Sequence, residues 1–464
     1  MKKIIMLSCF LVLMPLSILA ATINVPGGQA TIQAGIDVAV DGDVVLLANG
    51  TYSGAGNYNI DFKGKSLTVK SANGPDNCIV DCQQLGRAFS GEASITVTLE
   101  GLTIKNGTSG LNSNGGAVVA SKLIVNDCIF ENNQASQDGG AVYSTSSAVF
   151  TECRFIANKS VYNGGAVNAF TATVENCVFK ENSSSYDGGA VYCVFFSFAK
   201  CIFTNNRAVA RGGAIFLGSR NSSQLTGELT NCIFSGNQVS SDSGGAVYVY
   251  ISGSHTAYHS YFINCTFTQN HASKHGGAVS CVLSPSLNDS INFKNCIIWD
   301  NVASEGEEIE ASLGDGSPVI TYSDVKGGYT GAGNIDFDPL FLAIEEKREF
   351  YLYPDSPCID SGTDVGAPGE DIDGIIRPVG TIDDMGAYEY QNDVFIWEGQ
   401  NYDWHSVNNW NSTTVPGLND LVIISSQIAT ADPEINSGVE NIGKLFINSG
   451  ALSITQGELS IGGS

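Results

Sequence analysis

The chain has 464 residues, with 47 acidic against 22 basic side chains and a net charge of −25. An acid excess of this size excludes general electrostatic attraction to nucleic acid or anionic lipid, and it favours solubility. The length also exceeds what one compact core organises, unless the chain grows along one axis by repetition.

Residues 1–21 read as a signal peptide. Lys2 and Lys3 form the basic start, residues 4–19 are apolar around Pro15, and Ala20-Ala21 offers small residues for cleavage. The segment is short for a membrane anchor and no basic flank follows it; no later segment is long and apolar enough to span a bilayer. Cleavage leaves 20 basic against 47 acidic residues, near −27, and removes Cys9 from the 13 cysteines. Twelve cysteines in an exported chain point first to disulfides.

Residues 31–52 open with an amphipathic stretch, Ile32, Ile36 and Val40, that predicts a short helix capping an open coil. A turn at Asp41-Gly42-Asp43 leads into a buried strand over 44–47. "KSLTVKSANG" and "EGLTIKNG" each supply a strand and turn of one further coil.

A repeat then takes over. Gly-Gly-Ala-[Val/Ile] begins at Gly115, Gly139, Gly164, Gly188, Gly212, Gly244 and Gly276, at spacings of 24, 25, 24, 24, 32 and 32. A second motif, C-x-[FI]-x-x-N, begins at Cys128, Cys153, Cys177, Cys201, Cys232, Cys265 and Cys296, and closes at Asn133, Asn158, Asn182, Asn206, Asn237, Asn270 and Asn301. The apolar residue after Gly-Gly-Ala alternates with a mixed set (Val119, Tyr143, Asn168, Tyr192, Phe216, Tyr248, Ser280), so period two points the first inward and the second outward. Cys and Phe of C-x-F likewise share an inner face. A unit of about 24 residues is too short to close its own core, so coils must stack at ~4.8 Å, each strand pairing with its equivalent. Gly-Gly supplies a corner, and the asparagines form an inward amide ladder with a structural role. The two longer periods are insertions near 218–226 and 252–261, expected to protrude as loops.

Stacking also governs the cysteines. Equivalent side chains on successive coils hold their Cβ atoms about one strand spacing apart, which strains a bridge, and seven cannot all pair. They read as a column of buried thiols. Cys78 and Cys82, outside the column, are the disulfide candidates.

Past the seventh rung, "EGEEIEAS" (305–312) takes the place of an eighth, degenerate one, with Glu307 and Glu308 expected to be exposed. Residues 336–390 turn acidic and turn-rich; Asp371, Asp373, Asp383 and Asp384 could offer oxygen ligands to Ca²⁺, the one cofactor considered, although they lack EF-hand spacing and also suit solvated turns. Residues 391–464 form another β module. Its Trp397, Trp404 and Trp410 suit either a small core or a sugar-stacking platform. The chain stops at "SIGGS" in mid-pattern, as a fragment of a longer protein would.

The Gly-Gly-Ala-[Val/Ile] and F-x-x-N repeats resemble those of polymorphic outer membrane proteins. Residues 31–52 resemble the cap of secreted pectin-lyase-like β-helix proteins. "SPCIDSG" and "DMGAYEY" within 336–390 resemble the terminal element of bacterial β-helix proteins with a choice-of-anchor domain. The resemblance spans about residues 24–390. It implies an all-β, right-handed parallel β-helix over 22–335 (regular repeats 115–312), with a short N-terminal cap helix and a small C-terminal β module, secreted or displayed at the surface or outer membrane of a bacterium as a monomer.

Function is less determined, because this fold carries lyases, hydrolases and adhesins alike. A polysaccharide lyase needs an Arg or Lys base; the candidates are Lys180, Lys200, Arg207, Arg211 and Arg220, with Arg207 and Arg211 just before the first long insertion. A glycosidase needs paired carboxylates, but Glu131, Glu152, Glu175 and Glu181 stand singly. N-T-D, G-H-G and R-x-P-x-x-R signatures are absent. Every repeated residue already has a structural task. The first reading is therefore a non-enzymatic surface protein, an adhesin or polysaccharide- or matrix-binding module, partnered by extracellular polysaccharide or a host surface. The alternative is a carbohydrate-active enzyme with its cleft beside the two insertions.

Overall fold

The computed structural model describes residues 20–91, 94–219, 225–251, 258–282, 289–305, 308–312, 318–342, 350–391, 394–397, 403–410, 415–416, 421–425, 434–435, 439–442, 444–449, 453–454 and 458–461. Most of the expected signal peptide lies outside them, as do Arg220 and Glu307.

One rung shows how the local sequence makes a coil. Strand Val167–Glu175 is followed by Val178–Lys180 and Ser183–Ser184, and each pairs in parallel with its counterpart in the next coil, Val191–Ala199, Ile202–Thr204 and Arg207–Ala208. Repetition of this step builds sheets of 18, 11 and 7 strands among the described residues. The chain is a right-handed parallel β-helix. Left-handed backbone turns the corners. In the coil that starts at Cys201 the corner residues are Lys200 (φ 53°), Asn205 (φ 56°) and Gly212 (φ 66°), and the same three places have positive φ in all seven rungs. Only the third corner is always glycine. Its neighbour Gly165 shows why the pair is needed: a Cβ there would lie 1.9 Å from the Gly189 carbonyl oxygen of the next coil.

The inward face is as the period predicts. The Val, Cys and Phe columns are buried, and Phe130, Phe155, Phe179, Phe203, Phe234 and Phe267 stack face to face at 4.7–4.9 Å. Register makes this geometry: identical side chains on identical backbone, repeated at the strand spacing, must lie parallel. The asparagines form a continuous chain. Asn182 donates from its backbone N and Nδ2 to Asn206 Oδ1, both at 3.0 Å, and Asn206 donates likewise to Asn237. Glu308 ends the chain and is not exposed as expected. It is half-buried, and it accepts from Asn301 Nδ2 at 2.9 Å and Asn301 N at 3.3 Å. The last ladder amide has no eighth asparagine above it, so a carboxylate folds in to receive its donors.

The twelve cysteines of the described chain are free buried thiols. This corrects the expectation for Cys78 and Cys82. Strand Cys78–Asp81 is extended, so residues four apart are separated by roughly 13 Å, beyond disulfide reach. In the column, Cys201 Sγ donates to the Ala199 carbonyl at 3.1 Å, and Cys153 N donates to Cys177 Sγ at 3.2 Å. Burial pushes the Cys128, Cys177, Cys232 and Cys296 thiols well above their ordinary value.

At the N-terminal end, the cap helix spans Ile32–Val38; Thr31 caps it by accepting from Ala34 N, and Ile32 and Ile36 are buried. Val40 lies beyond it and is exposed. The insertions differ from protruding loops where they are described. They extend the first sheet, with Ile215–Ser219 pairing with Val247–Ile251 and Leu225–Thr230 with Tyr258–Ile263.

Residues 350–391 return along the outer side of the helix. Asn231 Nδ2 donates to the Glu370 carbonyl (2.7 Å), Asn264 Nδ2 to the Asp384 carbonyl (3.1 Å) and Asn295 Nδ2 to the Thr363 carbonyl (2.9 Å). The segment covers Ile233, Thr266 and Ile297, outward residues of the second sheet, which become buried. Among its own residues, Arg377 and Glu389 form a fully buried pair at 2.6 Å. In the C-terminal module, strands Val394–Trp397, Leu421–Ser425 and Lys444–Ser449 pair in parallel, so the module also winds rather than forming hairpins.

Candidate functional site

Charged, hydroxyl and aromatic side chains converge on the outer face of the helix just before the Gly-Gly corners. Asn163, Asp187 and Arg211 occupy the same place in three successive rungs, each immediately preceding Gly-Gly. Coil stacking brings Asp187 and Arg211 together, joined by a backbone bridge and a bidentate pair: Arg211 Nε donates to Asp187 Oδ1 at 3.0 Å and Nη2 to Oδ2 at 2.7 Å. The Arg211 guanidinium also lies over the rings of Phe216 (4.9 Å), Tyr248 (5.2 Å) and Tyr250 (5.8 Å). Tyr192, Phe216 and Tyr248 are themselves an outward ladder, stacked at 4.9 and 5.5 Å. Beside it opens a groove of about 540 Å³, lined by Tyr162, Tyr186, Asp187, Arg211, Phe216 and Tyr250 among others.

The electrostatics of the pair follow from burial. Burial pushes the Asp187 carboxyl above its ordinary value, while the hydrogen bonds from Arg211 pull it back down. Burial likewise works against the Arg211 charge, yet the hydrogen bonds and attraction of Asp187 outweigh it and hold the guanidinium above its usual value. Arg211 is therefore a fixed cation. A proton-abstracting base must spend time neutral, and the bidentate pair with Asp187 favours the charged form of this residue. One carboxylate lines the groove among the described residues, so the paired carboxylates of glycoside hydrolysis are not assembled there.

The other sequence candidates fall elsewhere. Arg207 is exposed on a short strand of the third sheet and does not line this groove. Trp397, Trp404 and Trp410 are buried against one another at centroid distances of 4.8–6.5 Å, with Trp410 Nε1 donating to the Trp404 carbonyl. They are the core of the C-terminal module, and the sugar-platform alternative is corrected: their ring faces are spent on packing.

The four candidate Ca²⁺ ligands are not gathered. Asp371 accepts from the backbone N–H of Asp373, Ile375 and Glu389, and Asp384 from those of Asp360 and Tyr390. Asp373 accepts from the Tyr351 hydroxyl, and Asp383 donates its backbone N–H to Asp364 Oδ1 at 2.9 Å. The oxygens of Asp371 and Asp384 are taken up by backbone N–H groups, and no group of three metal-ligating side chains occurs among the described residues. Burial, with Glu389 nearby, pushes the Asp384 carboxyl up to about 7.

A second cavity of about 330 Å³ lies where the asparagine ladder stops, lined by Asn301, Glu308, Lys326 and Tyr329. Burial pushes the Glu308 carboxyl up to about 7.

Sequence reasoning flagged Arg211 but missed Tyr162, Tyr186 and Asp187. The signal was present in "VYNGG" and "SYDGG": a tyrosine two places before Gly-Gly in adjacent rungs, where the flanking rungs carry Gln137 and Ala210.

Comparison with known proteins agrees with the architecture. Residues 67–229 match the model of a right handed beta helix region, and residues 231–250 and 264–282 match the Chlamydia polymorphic membrane protein repeat. No curated protein matches. Among solved structures, the chain is similar to a mutant of the PL6 family alginate lyase AlyGC (12% identity, TM-score 0.41, 95% of this chain and 71% of that one). It is also similar to pectate lyase Pel9A (16% identity, TM-score 0.40, 80% of this chain and 96% of that one). Two different matches to repeat models thus fall on the same run of stacked coils, and the chain is a β-helix protein by sequence pattern as well as by structure.

Proposed function

We propose that this chain is a non-enzymatic, extracellular surface protein of a bacterium whose β-helix binds polysaccharide. The observation that carries the reading is the groove at Asp187 and Arg211. It offers exposed tyrosines, a carboxylate and a guanidinium on a rigid sheet, and its one arginine is locked as a cation by a bidentate pair. Such a surface is built to hold a ligand rather than to move a proton. The repeats support display: each side chain that faces inward is committed to packing or to the amide ladder, leaving the outer face to vary with the ligand.

The test is to incubate purified protein with a panel of neutral and acidic polysaccharides. We expect binding, seen as retardation in affinity electrophoresis, without new reducing ends or unsaturated products. Release of either product would overturn the non-enzymatic reading, and failure to bind every member would overturn the polysaccharide one.

A further inference from the structure

We infer that the groove selects a neutral, hydroxyl-rich glycan over a uronate-bearing one, an inference that rests on the polysaccharide-binding role proposed above.

Charge comes first. A groove that captures acidic sugars needs a cation with attraction to spare. Arg211 has given both of its forked donors to Asp187, and that carboxylate is only 5% exposed. The surrounding charges add further negative potential. Asp242 lies close enough to disfavour the Asp187 charge, and Asp138, which accepts from Asn163 N at 2.9 Å, occupies the equivalent place two rungs before Asp187. Lys274 is turned to Asp242 at 3.3 Å. The chain as a whole is at −25. A row of sugar carboxylates would therefore meet repulsion at short and long range.

Chemistry comes second. Arg211 spends two of its five donors on the nearly buried Asp187, while the exposed Tyr162 and Tyr186 hydroxyls both donate and accept. The groove therefore offers donors beside hydroxyl acceptors, which matches the vicinal hydroxyls of an uncharged sugar.

Spacing comes third. Tyr162 and Tyr186 are 50% and 52% exposed and lie one coil apart, with Tyr186 N donating to the Tyr162 carbonyl at 3.2 Å. Their separation along the axis is one strand spacing, ~4.8 Å. One pyranose unit of an extended glycan advances by a comparable length, so successive sugars running along the helix meet equivalent tyrosines. The Tyr192–Phe216–Tyr248 ladder cannot serve in this way, since its ring faces are stacked on each other and under Arg211. It forms the wall of the groove, and Tyr162 and Tyr186 form the platform.

The experiment is calorimetric titration of the full chain with cellohexaose, xylohexaose and mannohexaose, and with hexagalacturonate and hexamannuronate, at low and high salt. We expect at least one neutral hexaose to bind with little salt dependence. Tyr162→Ala and Tyr186→Ala should each weaken it roughly 3- to 10-fold. Both tyrosines are half exposed, so the variants keep the fold, which circular dichroism checks. Preferential, salt-sensitive binding of a uronate hexamer would overturn the neutral-glycan inference while leaving the polysaccharide reading intact. Binding of a neutral hexaose that neither substitution alters would overturn the assigned site. Binding of none would overturn both.

Discussion

The regular rungs and the returning segment 350–391 are held by opposite kinds of contact. In the rungs each residue meets its own equivalent, one coil away, as Asn182 meets Asn206 or Phe179 meets Phe203. The returning segment meets the helix through singular, long-range contacts: Lys200 pairs with Glu370, 170 residues on, and Asn231 bonds the Glu370 carbonyl 139 residues on. Translation along an axis distributes stability over many equal steps, whereas a strap concentrates it in a few anchors.

The sharpest way to break the symmetry is in mid-ladder. Asn206→Ala removes the acceptor of Asn182 N and Nδ2 and the donor to the Phe179 carbonyl and Asn237. Several buried groups then lose partners at once, and we expect a loss of about 4 kcal/mol in urea unfolding. An unchanged midpoint would show that the ladder is ornamental to stability. In the strap, Arg377→Met leaves the buried Glu389 carboxylate without its partner, at a cost of about 3 kcal/mol. Here the loss should be local: hydrogen exchange should quicken over 350–391 while rungs 139–208 stay protected. Exchange that quickens evenly along the chain would mean that strap and rungs form one cooperative unit.

Acidity separates the same two regions. Burial pushes Glu308, Asp324 and Asp384 up to about 7, and all three lie at the end of the ladder or under the strap. Folded pKa values above the unfolded ones mean that the native state holds more protons between about pH 4 and 7. Stability then falls as pH rises across that window and levels off above it. We expect each of these carboxyls to make the strap end roughly 2–3 kcal/mol more stable at pH 5 than at pH 8, readable as a pH-dependent first step in thermal unfolding. A first step that moves the other way would refute the buried-carboxyl account. The smallest effect belongs to the thiol column. Cys201→Ala should cost about 1 kcal/mol, the value of a small packed group, and mass spectrometry of the wild-type chain without reductant should show every described thiol unpaired.

Legibility in the sequence follows the same divide. The inward Val, Cys, Phe and Asn were readable because stacking writes the same requirement seven times, and only a side chain of fixed size and polarity meets it. Two of the three corners were not readable. Residues as different as Asp127, Glu152 and Lys200 take positive φ before cysteine, and Asn132, Ala157 and Glu181 do so before the ladder, because stacked neighbours impose the backbone whatever the side chain. The strap's docking site left only a faint trace. The corner residue is Asn231, Asn264 and Asn295 beneath it, but Asp127, Glu152, Asn176 and Lys200 at the four preceding corners. Glu308 was misread for a related reason: its partner is the unfilled end of a ladder, a vacancy that composition does not reveal. At the groove, Arg211 was visible as a charge, but its bidentate partner stands 24 residues away and changes its chemistry from base to anchor.

The strap's three asparagine anchors bear on how such a protein can vary in length. Before Lys200 the strands pair only with those of adjacent coils, and the exposed Arg154–Asp76 pair at 3.5 Å is a side-chain contact that skips coils, so a whole rung added or deleted between Arg154 and Lys200 leaves both new junctions equivalent to the old ones. The anchors Asn231, Asn264 and Asn295 sit on consecutive coils and match three fixed points of one returning segment. An extra rung between them would put two anchors out of step by a full coil. The molecule is thus adjustable on one side and gauged on the other, and descendants of this gene that differ in rung number should differ on the N-terminal side of residue 200.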